Sequence, residues 1–222
     1  MAQPMEHRFS PYTDNGGTAV GIACPDGAIL IADKRLSKGY SIHTRENSKV
    51  TQLTSKCVIA SCGMKADAIT LHRILKMRLT MYEHDHGREA TTPAIAQMLS
   101  TMLYGRRFFP YYTFNILAGT DDEGKGAVYH YDAIGSFERV DYTTSGSGSS
   151  LAHPVIDAVL QQGNYVEQFK RKDPLKLNDV VDLCRDVMTS TGERDIYTGD
   201  ACDIFTIDKL GVRQQRFELK KD

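Results

Sequence analysis

Three residues near the start of this chain could together cleave a peptide or ester bond: Thr18, Asp33 and Lys49. A threonine hydroxyl attacks a carbonyl once a base takes its proton. That base is either the residue's own amine, exposed by chain cleavage, or a lysine. An aspartate beside such a lysine orients it and keeps it charged. Thr18 stands in "NGGTAVGIACPD" (15–26), after two glycines and at the head of an alternating apolar run. It therefore reads either as a nucleophile uncovered by cleavage or as the first residue of a strand. Most soluble chains carry a Thr, an Asp and a Lys near their start, so residue types alone favour the strand.

Other candidate chemistry is weaker. His84 and His86 flank Asp85, but no second ligand cluster stands at metal-like spacing, and a solvated polar loop is expected for "HDHGREA" (84–90). "TSGSGSS" (144–150) is glycine-rich and precedes a helical pattern, as a phosphate cradle would. It lacks the Lys-Ser/Thr ending of a phosphate loop, so a strand-to-helix turn with a serine N-cap is the expectation. The five cysteines (Cys24, Cys57, Cys62, Cys184 and Cys202) are odd in number and scattered through apolar segments, which suits reduced thiols packed as small core residues.

These residues need elements to hold them. Residues 1–16 are polar, with Pro4, Pro11 and turn formers, and read as an arm before one domain spanning 17–222. "TAVGIAC" (18–24) and "AILIAD" (28–33), joined by "PDG", predict a hairpin. "KVTQLT" (49–54) and "CVIASCG" (57–63) predict a second pair, making four strands before any helix. A helix is expected over 64–82, with Ala68, Leu71, Leu75 and Tyr82 on one face widened by Ile74, Met77 and Met81. A second is expected over 92–104, where Ile95, Met98, Leu99, Met102 and Leu103 recur at helical spacing and Pro93 suits the first turn.

Strands are then predicted at 112–119, 126–132 and 136–142, and helices at 149–160 and about 177–189. In the latter Val180, Leu183, Cys184 and Val187 form a stripe. Two closing strands span 203–208 and 212–219. The order implies one α+β domain, two antiparallel sheets with helical layers outside.

Composition bounds the function. In 222 residues, 41% are hydrophobic and 25% charged, enough to bury a sizeable core. A formal net charge of -1 carries no clustered basic excess, which argues against nucleic acid or a membrane surface as partner. No apolar run approaches the roughly 20 residues that span a bilayer, and the first 15 lack the apolar core of a secretory signal. A soluble intracellular protein is the expectation.

The stretches "NGGTAVGIACPDGAILIADKRLSKGYSIHTR", "YGRRFFPYYTFNILAGTDDEGKGAVYHYD" and "GERDIYTGDA" resemble the β-type subunits of the 20S proteasome, over Arg8 to Asp222. "FSPY…NGGT", "SIHTR", "RRFFPYY" and "EGKGAVY" point to one non-catalytic ring position, flanked by the β5 and β7 subunits. The resemblance implies the N-terminal-nucleophile hydrolase fold, a four-layer αββα sandwich. Active members of that family expose a threonine by cleavage after glycine. They support it with an aspartate in D-x-R, a lysine, a serine in G-S-G and an aspartate in R-D-x-Y-S. Carried across, these are Asp33, Lys49, Ser147 and Asp195, with Thr198 replacing the last serine.

In active members the nucleophile stands 16 residues before that aspartate and 32 before the lysine, and here 33 − 16 and 49 − 32 both give 17, a glycine. Thr18 falls one residue late, and on a strand that turns its side chain to the other face, away from the lysine. The resemblance thus implies a structural β-ring subunit without catalysis or cofactor. It would assemble with other β subunits and the α-ring in a 28-subunit particle of cytoplasm and nucleus, serving ATP- and ubiquitin-dependent protein degradation. It also implies that Asp132, Ser136 and Glu138 line the substrate pocket of the adjacent β5 subunit. Two other readings remain: an active threonine peptidase cut between Gly17 and Thr18, and an unrelated monomeric binding domain.

Overall fold

The computed structural model describes residues 9–166, 168, 170 and 173–222. Its strands are β1 (Thr18–Cys24), β2 (Gly27–Asp33), β3 (Leu36–Lys38), β4 (Ser41–Thr44), β5 (Val50–Thr54), β6 (Cys57–Gly63), β7 (Thr113–Thr120), β8 (Gly126–Tyr131), β9 (Phe137–Val140), β10 (Tyr142–Gly146), β11 (Ala201–Asp208) and β12 (Gly211–Glu218). The helices are α1 (Lys65–His86), α2 (Thr92–Tyr104), α3 (Ser149–Leu160) and α4 (Leu177–Gly192). Two five-stranded sheets, ordered β10-β1-β2-β11-β12 and β5-β6-β7-β8-β9, are antiparallel throughout, and β3 and β4 form a separate hairpin.

Strand alternation sorts the side chains into layers. Along β1 and β2, Val20, Ile22, Ile29 and Ile31 face α3 and α4, meeting Ile156, Val180, Cys184 and Val187. Their neighbours Ala19, Leu30 and Ala32 face the other sheet and pack with Ile116, Ala118 and Val128. On the far side Ile59 and Leu117 meet Leu71, Leu75, Ile95, Leu99 and Leu103 of α1 and α2. Helix pair, sheet, sheet, helix pair is the four-layer αββα sandwich.

Several expectations need correction. Six strands precede the first helix, because the short polar β3 and β4 carry no apolar run to announce them. The segment 136–142 is two strands, β9 and β10, lying in different sheets. Helix α1 runs on through His84 and His86, so these histidines stand in a helical turn and not in a loop. The helix stops at Gly87, whose φ of 67° is the left-handed conformation of a glycine C-cap. Met77 and Met81 do not widen the buried face: they are 53% and 64% exposed, and His72 and Leu79 are buried instead. Residues 144–146 belong to β10, and the N-cap of α3 is Gly148, not a serine.

All five cysteines are free and buried. Burial pushes the Cys24 and Cys62 thiols up to about 12, so neither ionises near neutrality. Among the described residues no helix is long and apolar enough to cross a membrane, and no group of three His, Cys, Asp or Glu could hold a metal ion.

Candidate functional site

Thr18 opens β1, the strand between β2 and β10, so its surroundings come from both neighbours and from the loops at that end of the sheet. The Asp33 carboxylate, at the end of β2, accepts the Thr18 N–H at 2.7 Å and the Arg35 N–H at 3.0 Å. The Lys49 Nζ lies 3.1 Å from Asp33 Oδ1 and donates to the carbonyls of Asp33 (3.1 Å) and Arg35 (2.6 Å). Three acceptors meet the three ammonium hydrogens. Asp33 is fully buried; burial drives its carboxyl upward, while the Lys49 charge and the two N–H donors pull against that.

Gly17 faces this pair. A Cβ built on it would overlap the Lys49 Cε and lie 2.7 Å from its Nζ and 2.8 Å from Asp33 Oδ1. The direction a side chain at 17 would take is therefore the direction of the lysine. Its φ of 92° adds a second restriction, since L side chains rarely adopt that region.

The Thr18 hydroxyl goes elsewhere. It accepts the Gly148 N–H at 3.0 Å and lies 2.6 Å from the Thr198 hydroxyl. Thr198 in turn donates to Asp195 Oδ2 at 2.7 Å, which fixes the proton order: Thr18 donates to Thr198. Ser147 donates to the same Asp195 oxygen at 2.7 Å and accepts the Gly17 N–H at 3.1 Å. The close approach at Gly148 excludes a side chain, because a Cβ there would overlap Thr18 Oγ1.

Gly17, Asp33, Lys49, Ser147, Asp195 and Thr198 thus converge within one constellation. Its side chains fall in two sets, Lys49 with Asp33 and the Thr18 hydroxyl with Thr198, Ser147 and Asp195, joined through the Thr18 backbone N–H that Asp33 accepts.

A cleft of about 470 Å³ opens beside Ser147, lined also by Gly16, Gly63, Phe114, His130 and Asp132. Asp132 is exposed, and its Oδ1 accepts the N–H groups of Ile134 (3.0 Å) and Ser136 (2.8 Å), stapling the β8–β9 turn. Ser136 belongs to that turn and Glu138 to β9; neither lines the cleft.

Three contributors escaped the sequence reading. Arg35, 3% exposed, binds Asp200 (2.9 Å) and Asp222 (2.8 Å), which push its guanidinium further up. Its place as the arginine of "DKR" was an available signal. Asn15 fastens the arm: its N–H donates to the Gly63 carbonyl, and its side chain bonds Ser37 and Lys65. Gly148 acts through its backbone N–H, which no residue type announces.

The model of the family described as "Proteasome subunit" matches residues 13–207. Among curated relatives, "Proteasome subunit beta type-1" of Dictyostelium discoideum is 49% identical over 99% of this chain and 94% of the relative. The protein of that name from Arabidopsis thaliana is 45% identical over 96% of this chain and 97% of its own. "Proteasome subunit beta type-6" of Saccharomyces cerevisiae is 40% identical over 99% and 94%.

Proposed function

This chain belongs to the proteasome subunit family, and from that premise we propose that it is a β-ring subunit of the 20S core particle that performs no hydrolysis itself. The observation that carries the reading is Gly17. The position aimed at Lys49 has no side chain, and the hydroxyl one residue later is bonded to Thr198 and Gly148. The partners of the Lys49 Nζ are the Asp33 carboxylate and the carbonyls of Asp33 and Arg35, and the Thr18 hydroxyl is not among them. Residues 17–222 serve as the working domain and residues 9–16 as the described part of an arm before it, the first eight residues of that arm lying outside the described residues.

The subunit's work is assembly, with other β subunits (β5 and β7 as neighbours) and the α-ring, in protein degradation in cytoplasm and nucleus. Within the particle, Asp132 presents negative charge to the β5 substrate pocket, supported by Ser136 and Glu138. Asp132→Asn is expected to shift that neighbour's preference away from basic or polar groups; an unchanged preference removes this role.

Catalytic silence has its own test. Thr18→Val, built into the particle, is expected to leave every peptidase activity per particle unchanged. Loss of one class of cleavage would instead make Thr18 a nucleophile.

A further inference from the structure

A cleft of about 300 Å³ lies between the middle of α1 and the end of α2, lined by Ile74, Arg78, Thr101, Met102, Gly105, Arg106 and Tyr111. Its apolar walls are Ile74 and Met102. The Arg106 guanidinium stacks over Tyr111, 5.4 Å from the ring centroid, and both residues line the cleft. The same helix α1 and the end of α2 with the residues just after it also carry exposed large apolar side chains: Met77 (53% exposed), Met81 (64%), Tyr104 (65%) and Phe108 (98%).

Charge here has one sign. Arg78 and Arg106 have no acidic partner among the described residues. The helical neighbours of Arg78 three and four residues away are Ile74, Leu75, Met81 and Tyr82, none acidic, and α2 carries no charged residue at all. The next residue, Arg107, adds a further cation. A pair of unmatched guanidiniums over an apolar seat is complementary to a carboxylate beside a large apolar side chain. Arginine and exposed aromatic or methionine side chains are also the residues that dominate protein interfaces.

We propose that this cleft receives an acidic segment of a different protein chain, one in which an Asp or Glu adjoins a large apolar residue. The carboxylate lies between Arg78 and Arg106 and the apolar side chain enters between Ile74 and Met102. The proposal rests on the ring-subunit reading, since it names the chemistry of one of that subunit's contacts.

The test uses the assembled particle. Arg78→Lys and Arg106→Lys, made singly in tagged chain, place an amine where the carboxylate is expected. Carbodiimide then joins amine and carboxylate in contact, and mass spectrometry identifies the pair. The expected result is a cross-link from position 78 or 106 to an Asp or Glu, next to a large apolar residue, on another chain. The double variant Arg78→Glu/Arg106→Glu is expected to lower incorporation at least tenfold, with the two lysine variants incorporating like the parent. Absence of a cross-link in an intact particle, or a link to this same sequence, overturns the proposal and leaves the ring-subunit reading standing. A tagged chain absent from any large particle overturns both.

Discussion

Gly17 and Thr18 divide between them what one N-terminal threonine would combine: Gly17 has the direction towards Lys49, and Thr18 has the hydroxyl. Restoring the side chain does not restore the site. Gly17→Thr would place its Cβ in the space of the Lys49 Cε, at a φ of 92°. It is expected to lower stability by about 1–3 kcal/mol without creating hydrolysis, read as a fall in melting temperature together with an unchanged peptidase assay. A second residue sets pH behaviour. His72 is buried between Thr51 (2.8 Å) and Ser61 (2.7 Å); Ser61 donates to Asn115, so the ring donates from Nε2 and accepts at Nδ1. Burial, with Lys65 nearby, lowers it from 6.5 to about 4. The unfolded chain therefore takes up a proton between pH 6.5 and 4 that the folded chain refuses. The His72 contribution is complete above pH 6.5 and lost as pH falls through that window, on the order of 3 kcal/mol. Urea unfolding at pH 7.5 and 4.5 is expected to show a smaller drop for His72→Gln than for the parent.

At the scale of elements, legibility followed periodicity. β1, β2, β6 and α2 were plain because each buries a regular apolar face, and α2 has the bounds its spacing predicts. β3 and β4 were not, being three and four residues long with little to bury. The break between β9 and β10 was hidden because Asp141 interrupts a run that looks continuous while the chain crosses between sheets. In α1, spacing put Met77 and Met81 beside the core face, but the packed stripe runs through His72 and Leu79. The energetic consequence separates the two helices. Leu99→Ala, at a fully buried position, is expected to cost about 2–5 kcal/mol, whereas Met77→Ala, half exposed, stays within about 0.5 kcal/mol. Equal costs in denaturant titrations would contradict the layer assignment. The site was legible in part: the family resemblance, with its 16- and 32-residue offsets, reached Asp33, Lys49 and Gly17, but the hydrogen-bond order around Thr18 depends on the Gly148 backbone and on strands distant in sequence.

For the whole molecule, the sandwich has the fold of the proteasome subunit family and its exposed groups suit assembly. Tyr40, Phe108 and Leu210 are each at least 90% exposed, surface that a ring of neighbours would cover. Co-purification of a tagged chain in a very large particle is expected; migration as a lone 24.8 kDa species would contradict the ring-subunit reading. The most direct measurement of catalytic silence is the intact mass of this subunit, taken from purified particle after treatment with a threonine-directed electrophile. Catalytic silence requires that no chain begin at Thr18 and that no adduct form on this subunit. A chain beginning at Thr18 and carrying one adduct would contradict it.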